Sequence, residues 1–177
     1  MHTNMGLPNS IPCIDAANGC RTFPNGVCGM IRTRIPGLDD KPLLRLIRTR
    51  LVPEARRARP HIRFQKREVL RRLDDCHVLV ATANPGAKPQ GFISFTLDRD
   101  ALIIDMLAVD RKYEGQGVGT RLMMEAETFG RQHGVVYAKL AVDEPNWKAR
   151  SFYARRGYVI AQYEPNYRMY WLIKYLQ

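Results

Sequence analysis

The stretch LAVDRKYEGQGVGTRLMMEAE, Leu107 to Glu127, decides how this chain folds. An apolar strand ending at Val109 runs into closely spaced glycines, Gly115, Gly117 and Gly119. An amphipathic helix follows, with Leu122, Met123 and Ala126 on its inward side. Glycine permits the turn and lets the main chain approach a ligand closely. Unpaired amide hydrogens at a helix start point at a common anion, and the helix dipole adds to their field. The amides of Gln116 to Thr120 are therefore expected to receive a phosphate or diphosphate. The run is not a P-loop, because no Lys-Ser/Thr pair follows the glycines, and its spacing differs from the dinucleotide-binding fingerprint. Taken without context, the same glycines also read as a tight turn.

Working outward, the period of the apolar residues alternates between that of strands and that of helices. Ile31 to Ile35 alternates as an edge strand would. Asp39 or Asp40 can cap a helix carrying Leu43, Leu44, Ile47 and Leu51, and Pro53 and Pro60 bracket a basic connection. A helix over 65–73 precedes three strands, at 77–83, 91–97 and 101–109, the last two joined as a hairpin through Asp98-Arg99-Asp100. After the glycine-started helix come a strand at 136–142, a short helix at 148–155 ended by Gly157, and strands at 158–163 and 169–176. This order predicts an α/β fold with a mixed central sheet of about seven strands flanked by about four helices.

The 177 residues fit one domain. Residues 30–177 read as that domain. Residues 1–29, with three prolines, four glycines and no periodicity, read as a flexible leader. No secretory signal or bilayer-length apolar run is visible, so a cytoplasmic protein with no membrane partner is expected. Three of the four cysteines, Cys13, Cys20 and Cys28, are spaced too widely for a structural zinc site, and no metal is expected. Cys76 reads as a small buried hydrophobe. The formal charge of +11 is concentrated between Lys41 and Arg72, where twelve basic residues face only Glu54 and Glu68. That window reads as a solvated helical face, an attractor for an acidic partner, or a nucleic-acid footprint. Zinc-finger spacing, an aromatic RNA-binding strand and a basic leucine repeat are all absent from the sequence, so nucleic acid is not the expected partner.

The glycine run, its preceding Leu-x-Val, and Asn146-x-x-Ala149-x-x-Phe152-Tyr153-x-x-x-Gly157-Tyr158 stand in an order that resembles the GNAT superfamily of acetyl-CoA-dependent N-acetyltransferases. The resemblance covers about 30–177, with its specific motifs within 105–158. It implies a largely antiparallel sheet splayed between the fourth and fifth strands. It also implies acetyl-CoA as cosubstrate and transfer of acetyl to a primary amine by direct attack in a ternary complex. Main-chain groups of Leu107, Ala108 and Val109 would pair with the pantetheine arm. Glu114, Gly115, Gln116, Gly117, Val118, Gly119 and Thr120 would form the diphosphate block, with Asn146 near the pantetheine. Glu114 departs from the family, in which a basic or amide residue is usual; it is expected to turn away or to pair with Arg111, Lys112 or Arg121.

The resemblance makes Tyr153 the general acid beside the coenzyme sulfur, with Phe152 in the core. Asp105 is an ionisable residue inside an apolar strand, placed by alternation on one face with Ile103 and Leu107. It reads either as base or acceptor anchor, or as a structural salt bridge. Tyr163, Glu164 and Tyr167 are candidate acceptor contacts. The acceptor amine is a small molecule or a protein, and the chain a monomer or homodimer. Two other readings are an inactive acyl-CoA-binding or regulatory module and an acetyltransferase drawn to an acidic macromolecule by the basic window.

Overall fold

Along the computed structural model, which describes residues 21–22 and 28–176, the elements are β1 (Arg21–Thr22), β2 (Cys28–Thr33), α1 (Asp40–Leu46), α2 (Val52–Ala58), α3 (Lys66–Asp74), β3 (His77–Thr82), β4 (Gly91–Asp98), β5 (Ala101–Val109), α4 (Val118–Gln132), β6 (Tyr137–Asp143), α5 (Trp147–Ala154), β7 (Val159–Glu164) and β8 (Met169–Tyr175). The strands form one sheet in the order β1-β2-β3-β4-β5-β6-β8-β7. Every pairing is antiparallel except β5 with β6. The fourth and fifth strands expected from sequence are β5 and β6, because the two-residue β1 adds a strand ahead of them. The expected leader over 1–29 lies largely outside the described residues, as do Cys13 and Cys20.

Two apolar layers sandwich the sheet. On one face Leu43, Leu46, Ile47, Val52 and Leu73 from α1 to α3 pack on Val78, Val80, Phe92 and Ala108. On the other, Leu122, Met123 and Ala126 of α4 and Tyr153 of α5 pack with Ile93, Phe95, Leu102, Ile104 and Leu140. Leu102, Leu122 and Phe95 are fully enclosed, each contributing about 1.5–3 kcal/mol of transfer free energy.

Pro53 does not end the first helix. It sits at the start of α2, and α1 reaches α2 through a π-helical turn, Ile47–Leu51, in which the Val52 amide bonds back to Ile47. Proline has no N–H for the regular bond and its ring crowds the turn before it, so the backbone widens there and continues. The basic stretch after Pro53 is thus helical, a correction to the connection expected from sequence. Neither Asp39 nor Asp40 caps α1 through its side chain. Asp39 instead accepts from both Arg32 nitrogens at 2.7 and 2.9 Å and from the Ile35 amide, while Asp40 accepts from Arg34 and Gly37. Burial alone would raise the Asp39 carboxyl; these donors outweigh it and hold it below the ordinary range.

One buried ion pair ties the two ends of the second layer. Glu127 of α4 accepts from Lys174 Nζ at 2.6 Å and from the Tyr158 hydroxyl at 3.1 Å. Lys174→Met would leave the enclosed carboxylate with the phenol alone and is expected to lower unfolding free energy by about 3 kcal/mol. Urea titration measures this, and a loss below about 1 kcal/mol would show that Tyr158 suffices.

Candidate active site

β5 and β6 pair only from Ala101 with Tyr137 to Ile104 with Leu140. Beyond that point β5 remains bonded to β4 on its other edge, and β6 stays paired with β8 through Asp143. The sheet therefore opens into a cleft whose β5 wall is Asp105 to Val109. Main-chain groups on that edge have no strand partner among the described residues, as the predicted splay requires.

The parting starts at a β-bulge. Ile104 faces Phe95 and Met106 faces the next residue, Ser94, so Asp105 is the extra residue. The bulge reverses the side-chain phase. Ile104 belongs to the α4 layer, Met106 and Ala108 to the α1–α3 layer, and Leu107 and Val109 again to the α4 layer. The expectation that Asp105 and Leu107 share a face is thereby overturned: simple alternation cannot hold across an inserted residue. Asp105 pairs with Arg72 of α3 through Oδ1, and its Oδ2 is buried without a partner among the described residues. The neighbouring Cys76 thiol is pushed up to about 11, first by burial and then by the Asp105 charge, which leaves it protonated at neutral pH.

At the end of β5 the chain makes a 3-10 turn, Arg111–Tyr113, capped by Asp110, and enters the glycines. Gly115 and Gly117 have φ of 75° and 80°, a region costly for residues with a Cβ, and Gly117 is the cap of α4. The first helical main-chain bond runs from Arg121 N to Gly117 O. Ahead of it, the amides of Gly115, Gln116, Gly117, Val118, Gly119 and Thr120 donate to no acceptor among the described residues. The start of α4 thus presents a run of amides free to donate. The Val118 side chain is buried, so that residue can offer only its main chain. Gln116 donates from its side chain to Lys112 O at 2.8 Å. At Gly119 an added Cβ would lie 3.3 Å from the Phe152 ring, which fixes how closely α5 approaches the cup.

Sequence reasoning missed the cations around this cup. Glu114 turns neither to Arg111, Lys112 nor Arg121 but to Arg50 in the π-helical turn. On the other side, Arg156 lies 3.4 Å above the Phe152 ring, donates to Phe152 O, and also donates to the Thr120 hydroxyl. Its Nε is buried without a partner among the described residues, and burial, then the Arg155 charge, lowers its pKa. No short-range pattern announces either contact.

Tyr153 is 8% exposed and lies deeper than Phe152. It meets Phe152 and Tyr158 edge-on at 5.1 and 5.7 Å and shares a cluster with Ile104 and Val142, which flank the parting of the strands. Its hydroxyl has no hydrogen-bond partner among the described residues, and burial raises its pKa well above that of an ordinary phenol. Asn146 caps α5, accepting from the Ala149 amide at 3.1 Å. Across the cleft, Asp143 at the end of β6 is bridged by Arg59 at 2.9 Å, and Glu144 by Arg168 at 2.9 Å. Tyr163 and Tyr167 are exposed.

These features coincide with a known family. Its sequence profile, described as the acetyltransferase (GNAT) family, matches residues 43–158. The chain belongs to that family. Two curated Bacillus subtilis relatives, the uncharacterized proteins YxbD and YdhI, are each 32% identical over 68 and 87 residues, 38% and 49% of this chain. The matched segments span 42% and 52% of those relatives, about half their length. Among solved structures, Ard1 from Thermoplasma volcanium is 24% identical with a TM-score of 0.69, over 84% of this chain and 98% of that one. The NatC complex bound to Gag peptide and CoA is 18% identical with a TM-score of 0.65, over 84% and 99%. At such identities these structures speak for the fold.

Burial is the leading influence on the Asp143 carboxyl and raises its pKa, while Arg59 opposes it. Arg59→Ala is therefore expected to move its titration midpoint further upward. Carboxyl carbon NMR reads this directly, and a midpoint that falls would show that the side chain gains water when the bridge is cut.

Proposed function

We propose that this chain is an acetyl-CoA-dependent N-acetyltransferase that moves acetyl to a primary amine by direct attack. Six unpaired amides beside an unpaired stretch of β5, in a member of this family, carry the reading. The described residues fit the cosubstrate: the amides suit a diphosphate, and the free edge at Leu107 to Val109 suits an extended amide-bearing arm. Acetyl-CoA would supply the acetyl group activated as a thioester. A structural relative solved with CoA and a peptide supports both the cosubstrate and a protein terminus or peptide as one acceptor class. The catalytic domain in this reading is 30–177, cytoplasmic, a monomer or homodimer.

The roles follow from the chemistry of each group. The main chain near Leu107 polarises the thioester carbonyl by hydrogen bonding. Asp105, at the bulge where the strands part, anchors the incoming ammonium and accepts its proton. Tyr153 donates its hydroxyl hydrogen bond to the departing sulfur, and Asn146 orders the start of α5 beside the arm. Cys76, protonated, takes no part.

Tyr153→Phe is expected to reduce turnover by about a hundredfold while CoA affinity stays within a factor of about two. Because burial raises its pKa, the wild-type rate should show no fall from phenol ionisation at moderately alkaline pH. Unchanged steady-state thiol release by the Phe variant, assayed over a panel of amines and peptides, would remove Tyr153 from the mechanism. Gly117→Val should abolish CoA binding in calorimetry, since the φ of 80° that aims the amides is closed to valine. Retained affinity would refute the cup.

A further inference from the structure

Glu114 is the anomaly of the cup. Its carboxylate, half exposed, opens a loop whose amides are arranged for an anion, and a bare charge there would repel the ligand that the loop attracts. The fold answers this with Arg50. One guanidinium nitrogen of Arg50, Nη2, bonds to Glu114 Oε1 across 64 positions of sequence. Its Nε and Nη1 donate to no acceptor among the described residues. A guanidinium is a rigid fork that can hold a carboxylate on one edge and a phosphate on another.

The backbone that delivers Arg50 is the π-helical turn Ile47–Leu51. In a regular helix the stripe through Leu43, Leu46 and Ile47 would bring position 50 onto the apolar side. The π-helical turn spreads the spacing, so the stripe passes from Ile47 to Val52, five positions on and both buried. Arg50 is released to the boundary, at the level of the glycine loop. Pro53 is the residue that forces the wider turn.

We propose that Arg50 is a diphosphate ligand of this enzyme, held at the cup by Glu114. The loop's own acid thus recruits a cation from the helical layer, and the pair receives the coenzyme as one unit. The inference rests on the coenzyme reading of the amide cup and deepens it. It differs from a structural salt bridge in what each half does. Removing Arg50 strips a ligand and also uncovers a carboxylate against the phosphates. Removing the Glu114 charge only loosens the cation.

The test is calorimetric binding of CoA and of pantetheine, which has no phosphates, to wild type and four variants, with melting temperature as the fold control. Arg50→Ala is expected to weaken CoA by about thirtyfold, the size of one lost charge-assisted hydrogen bond, with pantetheine unaffected. Glu114→Gln should stay within about threefold of wild type, because the cation remains. Glu114→Gln added to Arg50→Ala should recover part of the loss, and Glu114→Arg added to Arg50→Ala should recover most of it by placing the cation on the loop. Arg50→Ala binding CoA like wild type at an unchanged melting temperature would overturn the assignment. So would equal losses for CoA and pantetheine, or equal effects of Arg50→Ala and Glu114→Gln, which is the signature of a bridge that only braces the fold. Wild type that binds no CoA would overturn both this inference and the coenzyme reading; wild-type binding with an indifferent Arg50 would overturn this inference alone.

Discussion

The separation of β5 from β6 after Ile104 is the constraint on which the other features depend. A strand edge left unpaired inside a sheet costs hydrogen bonds, and it persists here because neighbours hold both walls. β4 grips β5 on its far side through Val109, and β8 grips β6 through Asp143. The bulge at Asp105 begins the divergence and re-aims the side chains that follow, placing a carboxylate at the head of the cleft. The α4 amide cup follows β5 by only a few residues, so the same bulge fixes where that cup stands.

The basic window acquires a different meaning in three dimensions. Four of its arginines, Arg45, Arg50, Arg59 and Arg72, reach Asp110, Glu114, Asp143 and Asp105 respectively. All four carboxylates border the cleft or the loop beneath it, and all four guanidinium groups come from the helical layer spanning α1 to α3. Part of a concentration of positive charge that suggests an acidic macromolecule when read along the chain is thus paired within the molecule. Exposed bridges of this kind each contribute little to stability. Their effect here is positional: they fasten the helical cover along the line where the sheet is open.

What was legible in the sequence followed from local chemistry. The turn glycines ahead of α4, its apolar stripe, and the end of α5 before Gly157 are each dictated by residues a few positions apart, and all were found where expected. The family resemblance supplied the splay. The departures share a cause. Pro53 reads as a break until the helix is seen to widen around it. Asp105 reads as an alternating residue until one extra position reverses the phase. The partners of Glu114 and Asp105 lie 64 and 33 positions away, and no periodicity carries information over that range.

In the proposed reaction, burial would give Tyr153 a more limited role than that of a free acid. A thiol of ordinary acidity has a pKa of about 8.5, and an ordinary phenol about 10; the enclosed Tyr153 phenol stands higher still. Complete proton transfer from it to a departing sulfur would run uphill. A hydrogen bond donated to that sulfur carries no such cost, and it strengthens in a site from which water is excluded. The same enclosure that makes Tyr153 a core residue keeps its proton in place throughout the neutral range. The proposed chemistry then needs a separate route for the proton lost by the attacking amine. In that proposal the route begins at Asp105, which stands at the bulge where the strands part and is bridged by Arg72.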